Sequence, residues 1–155
     1  MTSYRTLLNL SLIASALALS ACASGPMASS APAAASSSVA MMGTLSGTKQ
    51  VPPNTSVGTG TVQTSFDKTT SMLSWTVTYS GLSGPVRAGH FHGPAAAGAN
   101  AGVALGFTGA MDSPIKGSAV LTPAQAADLM AGKWYVNLHT AANPGGEIRG
   151  QVEAK

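Results

Sequence analysis

In Met72-Leu73-Ser74-Trp75-Thr76-Val77-Thr78-Tyr79, the apolar residues Leu73, Trp75, Val77 and Tyr79 alternate with Ser74, Thr76 and Thr78. A period of two sends successive side chains to opposite faces, so this stretch predicts an antiparallel strand with one buried face and Trp75 as a core anchor. Upstream, residues 43–51 predict a first strand, closed by Pro52-Pro53, which removes two backbone donors. Residues 57–66 predict a second, with Asp67-Lys68-Thr69-Thr70 as the turn that follows. Downstream, residues 86–92 and the shorter runs 103–107 and 114–121 add three more. In the first of these, simple alternation puts Val86, Ala88, His90 and His92 on one face and Arg87, Gly89 and Phe91 on the other. Trp134, Val136 and Leu138 then alternate against Tyr135, Asn137 and His139. After the turn Asn143-Pro144-Gly145-Gly146, Glu147, Arg149 and Gln151 alternate with Ile148, Gly150 and Val152, which predicts a terminal hairpin.

One helix interrupts the strands. Thr122 can cap it, Pro123 suits its first position, and Gln125 stands where a capping box needs it. The apolar residues Ala126, Ala127, Leu129 and Met130 follow, and Gly132 suits the left-handed position past the end. The pattern as a whole predicts an all-β fold: an immunoglobulin-like sandwich or small barrel of antiparallel strands with one short helix.

Before the first strand the composition changes. Met1-Thr2-Ser3-Tyr4-Arg5 leads into an apolar run from Leu7 to Leu19 and then Ser20-Ala21-Cys22, the layout of a signal peptide that is removed on export. The tail Leu19-Ser20-Ala21-Cys22 resembles the lipobox of bacterial lipoproteins, which implies lipidation of Cys22. The divisions are then a lipoprotein signal peptide at 1–21, a lipidated Cys and flexible Ala/Ser-rich tether at 22–41, and one domain at 42–155. Ala23 rather than Asp after the cysteine implies, by the same resemblance, the outer membrane facing the periplasm. Acyl chains on Cys22 would make the membrane itself a partner. With Cys22 as the single cysteine, no disulfide can form within the chain, so the domain must hold by its core.

The formal net charge is +3, yet only 8% of residues are charged, and the cations of the domain are scattered singly. Such a surface gives a phosphate backbone no track to follow, so nucleic acid is excluded as a partner.

The chemistry gathers in the histidines. His90 and His92 share one face of a predicted strand, and His139 stands in the first strand of the terminal hairpin. Neutral imidazole suits copper and zinc, so convergence of the three would give a three-His site with an open position, or with water, Met72 or Met111 as fourth ligand. In a second reading the same histidines hydrogen-bond carbonyls and specify packing. Tyr135 and Asn137, on the face of His139, are candidates to line that site or to support its ligands. Glu147 and Arg149, two apart on the last strand, read as a structural ion pair, or as a pair able to bind a carboxylate. The serines fall in no Gly-x-Ser-x-Gly elbow, and no Asp adjoins either histidine motif, so an enzyme is not expected. A dismutase-like activity is the nearest enzymatic alternative.

Several motifs together resemble the CHRD domain, first described in chordin and common in exported bacterial proteins. They are Leu45-Ser46-Gly47 with Val51-Pro52-Pro53, Tyr79-Ser80-Gly81-Leu82-Ser83-Gly84, Ala88-Gly89-His90-Phe91-His92-Gly93-Pro94, Leu121-Thr122 with Ala126-Ala127-Asp128-Leu129, and Trp134-Tyr135-Val136-Asn137-Leu138-His139-Thr140 with Pro144-Gly145-Gly146-Glu147-Ile148-Arg149-Gly150-Gln151. The resemblance implies an all-β domain acting as a binding or interaction module, with a protein partner in the envelope as one expectation. Gln50 stands where the family usually has Glu before Val-Pro-Pro, so a role needing a carboxylate there does not carry over.

Overall fold

The computed structural model describes residues 37–155. The stretches expected to be a signal peptide and tether lie outside the described residues up to residue 36, and Cys22 with them. The strands are β1 Ser38–Ser46, β2 Thr59–Asp67, β3 Met72–Ser80, β4 Val86–His92, β5 Val103–Gly106, β6 Ile115–Val120, β7 Trp134–Thr140 and β8 Ile148–Ala154. A 3-10 turn at Gly47–Lys49 follows β1, and helix α1, Pro123–Met130, precedes β7. All eight strands form one sheet in the order β5-β4-β7-β8-β1-β2-β3-β6, and each neighbouring pair is antiparallel. Of the two arrangements expected, the single curled sheet is the one formed, a half-barrel with α1 as the helix.

The apolar positions explain the curl. Leu73, Trp75 and Val77 of β3, Val62 and Phe66 of β2, Trp134, Val136 and Leu138 of β7 and Ile148 and Val152 of β8 are all buried in one core. Trp75 stacks on Phe107 at 5.4 Å and meets Phe91 edge-on at 5.5 Å, and Phe91 packs on Trp134 at 5.6 Å. These contacts draw β3 toward β4, which the sheet order separates by four strands. Burial of this aromatic area favours the bent sheet. Where β1 and β8 press together, a Cβ on Gly43 would collide with the Gln151 carbonyl and one on Gly150 with the Thr44 carbonyl, so only glycine permits the approach.

Local signals are realised closely. The Thr122 side chain and Gln125 form the capping box, Pro123 opens α1, and Gly132 takes φ +69° beyond its end. Asp67 accepts from the amides of Thr69 and Thr70 and turns β2 into β3.

Two expectations change. β1 begins at Ser38, inside the stretch read as tether at 22–41, and ends at Ser46 rather than at residue 51. Its residues 38–41 are Ser, Val, Ala and Met, a composition that does not set them apart from the tether. Pairing of backbone groups with β2, Ser38 opposite Asp67 through Ser46 opposite Thr59, makes them a strand. The second change is in β4, where the register shifts between Val86 and Ala88. This irregularity turns Val86 into the core with Gly89 and Phe91, off the face that carries His90 and His92.

Candidate metal centre

The outer face of β4 and β7 carries the site. The register sets His92 opposite Tyr135, His90 opposite Asn137 and Ala88 opposite His139. His90 and His139 are therefore diagonal neighbours, and the small Ala88 leaves the His139 ring room to lean toward His90. Ring centroids lie 5.1 Å apart for His90 and His139, 5.5 Å for His90 and His92, and 6.2 Å for His92 and His139. One nitrogen from each of the three falls within 4.8 Å of the others. The structure thus brings together the three histidines singled out from the sequence.

Their hydrogen bonds define which nitrogens face inward. His92 Nδ1 lies 3.0 Å from the Ala101 carbonyl and His139 Nδ1 2.9 Å from the Pro144 carbonyl. A carbonyl only accepts, so each Nδ1 carries the proton and each Nε2 keeps a lone pair, which in His139 can accept from His90. His92 Nε2 is buried with no hydrogen-bond partner. His139 Nε2 faces His90 Nδ1 at 3.3 Å. Two nitrogens on a tetrahedral ion with bonds of about 2.0–2.1 Å are roughly 3.3–3.4 Å apart, so this pair already has the spacing of two ligands. A backbone carbonyl on the far nitrogen is the usual support of a metal-binding imidazole, and two of the three have it.

The imidazoles of His90 and His92 are disfavoured from taking a proton. Burial, then the facing His139 and His92 rings, keep His90 below the ordinary histidine range. Burial also lowers His92, where His139 and Arg149 oppose the proton further and the Ala101 carbonyl partly offsets them. A neutral imidazole is the form that donates to a metal.

The neighbouring candidates divide. Tyr135 belongs to the site: its ring stacks on His92 at 5.0 Å and 4°, and its hydroxyl donates to the Ala101 carbonyl that holds His92. Asn137 lies opposite His90 but accepts from Gln50 Nε2 at 2.7 Å, so Gln50 serves here as an amide donor. The expected ion pair between Glu147 and Arg149 is not formed. Glu147 accepts from Ser56, Ser83 and Thr140, while Arg149 donates to the Ala99 carbonyl and Asn100 and lies over the Tyr135 ring. Both charges face partners from loops and from β7, which alternation along one strand cannot reveal. The candidate sulfur ligands have other places: Met111 packs against the core, and Met72 lies on β3, paired with Val120 of β6. Sequence reasoning missed the carbonyls of Ala101 and Pro144, because a backbone acceptor leaves no mark in residue identity. An open groove of about 720 Å³ runs beside Lys49, Gln50, Arg149 and Gln151, but none of the three histidines lines it.

The model of the CHRD domain matches residues 42–152. The chain belongs to the CHRD domain family. Neither a curated protein nor a solved structure matches it. Among the described residues of this CHRD protein, no helix is long and apolar enough to cross a membrane.

Proposed function

We propose that this protein is a metal-binding module of the bacterial cell envelope, holding copper or zinc on His90, His92 and His139. Membership of the CHRD family supports the coarser statement, a binding or interaction module. The observation that carries the finer one is the buried, unpartnered Nε2 of His92, in a residue whose ligand nitrogen lies within 4.8 Å of one from each of His90 and His139, themselves paired at 3.3 Å. Packing histidines would be expected to use both ring nitrogens on protein partners. The donor set is His90 Nδ1, His92 Nε2 and His139 Nε2, with the fourth position left to water.

Export, lipidation of Cys22 and attachment to the outer membrane are part of the same proposal and rest on the N-terminal sequence. We take the protein as a binder and not an enzyme, because the hydroxyls of Ser56, Ser83 and Thr140 are turned on Glu147 and not on an imidazole. Titrating the purified protein with Cu(I), Cu(II) and Zn(II) tests the reading, beside a variant carrying His90→Ala and His92→Ala. One tightly held ion per chain, lost in the variant, is expected. Binding no tighter in the native protein than in the variant would remove the metal and leave an interaction module.

A further inference from the structure

The charges around the three imidazoles bear on which ion they take. β7 lies between β4 and β8 in the sheet, so Tyr135 has His92 on one side and Arg149 on the other. The Arg149 Cζ is 3.4 Å from the Tyr135 ring centroid, and His92 is stacked on that ring in a nearly parallel plane. Arg149 is only 2% exposed, and its guanidinium donates to the Ala99 carbonyl at 2.6 Å and to Asn100 Oδ1 at 2.9 Å. Both acceptors are neutral, and a guanidinium keeps its proton at every working pH, so a permanent positive charge stands one aromatic ring behind His92. The nearest acidic residue in sequence, Glu147, is turned to Ser56, Ser83 and Thr140, and Glu153 is exposed on the rim of the groove. All three ligands are themselves uncharged, so nothing in the donor set offsets the charge of the ion.

We propose that Arg149, seated against Tyr135 behind His92, makes the three-imidazole site prefer monovalent copper over divalent zinc. The proposal rests on the metal reading above and deepens it. Repulsion between the guanidinium and the bound ion scales with the ion's charge, so Zn(II) suffers twice what Cu(I) does. Water in the open groove beside Arg149 screens part of this repulsion, and the 2% exposure of the side chain keeps the rest. Cu(I) and Zn(II) both have a filled d shell and both accept imidazole, so geometry imposed by d electrons does not confuse the comparison. Arg149 is a specificity-determining residue here, and Tyr135 is the positioning residue that sets its distance from His92.

The test compares dissociation constants for Cu(I) and Zn(II), measured without oxygen by competition with a chelator for each ion. The full-length protein is used, native and with Arg149→Gln or Arg149→Lys. The native protein should hold Cu(I) at least about tenfold more tightly than Zn(II), and Arg149→Gln should narrow that gap by about tenfold. Arg149→Lys, which keeps the charge and loses the flat stack, should weaken both ions and preserve the gap. Equal or tighter Zn(II) binding by the native protein overturns the proposal, and this comparison stands even if a variant fails to fold. It is also overturned by an unchanged gap in folded Arg149→Gln, or by a gap that closes as far with Lys as with Gln. Failure of the native protein to hold either ion is a different result, and refutes the metal reading itself.

Discussion

Replacing Glu147 with Gln removes the charge that ties two loops to the β7–β8 turn. The carboxylate is 1% exposed and accepts from Ser83 N at 2.8 Å, Ser83 Oγ at 2.6 Å, Ser56 Oγ at 2.8 Å and Thr140 Oγ1 at 2.5 Å. Burial pushes this carboxyl up, and the bonds from Ser83, Thr140 and Ser56 more than offset it, holding it at about 2 against an ordinary 4.5. At roughly 1.36 kcal/mol per pH unit, that difference corresponds to about 3 kcal/mol of stability at neutral pH. A cleft of about 290 Å³ beside Ser56, Ser83 and Asn143 admits water. The water screens the charge and reduces the contribution to about 1–2 kcal/mol. Because the folded-state value is depressed, the contribution is fully present above about 4.5 and is lost as pH falls from there toward 2. Glu147→Gln should therefore be less stable at pH 7 by about 1–2 kcal/mol, a melting temperature lower by about 4–10 °C. Acid should then cost it less than it costs the native protein, so thermal melts from neutral pH down to about pH 2.5 should converge. Parallel melting curves across that range would refute the reasoning. The same turn carries the Pro144 carbonyl that orients His139, so weaker metal binding should accompany the loss.

Three further outcomes are expected. Burial holds His90 and His92 below the ordinary 6.5, so the unfolded chain takes up protons that the folded one refuses. Metal-free stability should be full above about pH 6.5 and fall below it, and melts of the His90→Ala, His92→Ala variant should lose that part of the pH dependence. A Cβ at Gly117 would overlap the Trp75 ring, so Gly117→Ala should cost about 1–3 kcal/mol in chemical denaturation. Cys22→Ser should move the protein from the membrane fraction to the soluble one on fractionation of cells, if the cysteine carries the lipid anchor.

The strands, the capped helix and the terminal hairpin were legible because their causes are local. Alternation in β3, the Thr122 to Gln125 box and the Gly-containing turn before β8 each act within a few residues. His90 and His92 were legible as a pair for the same reason, since a strand sends residues two apart to one side. Val86 escaped the same rule because a register irregularity against β7 cannot be seen from β4 alone.

The chain's own order of residues thus determined the elements, their kind and the three imidazoles that could meet. Tertiary structure alone decided the sheet order that sets β4 beside β7, the recruitment of residues 38–41 into β1, and the separate partners of Glu147 and Arg149. Those outcomes depend on contacts between segments far apart in the chain, made through backbone ladders that every residue type shares and through side chains that loops bring in from a distance. Side-chain identity reports what a residue can do, and the curl of the sheet chooses which neighbour it does it with.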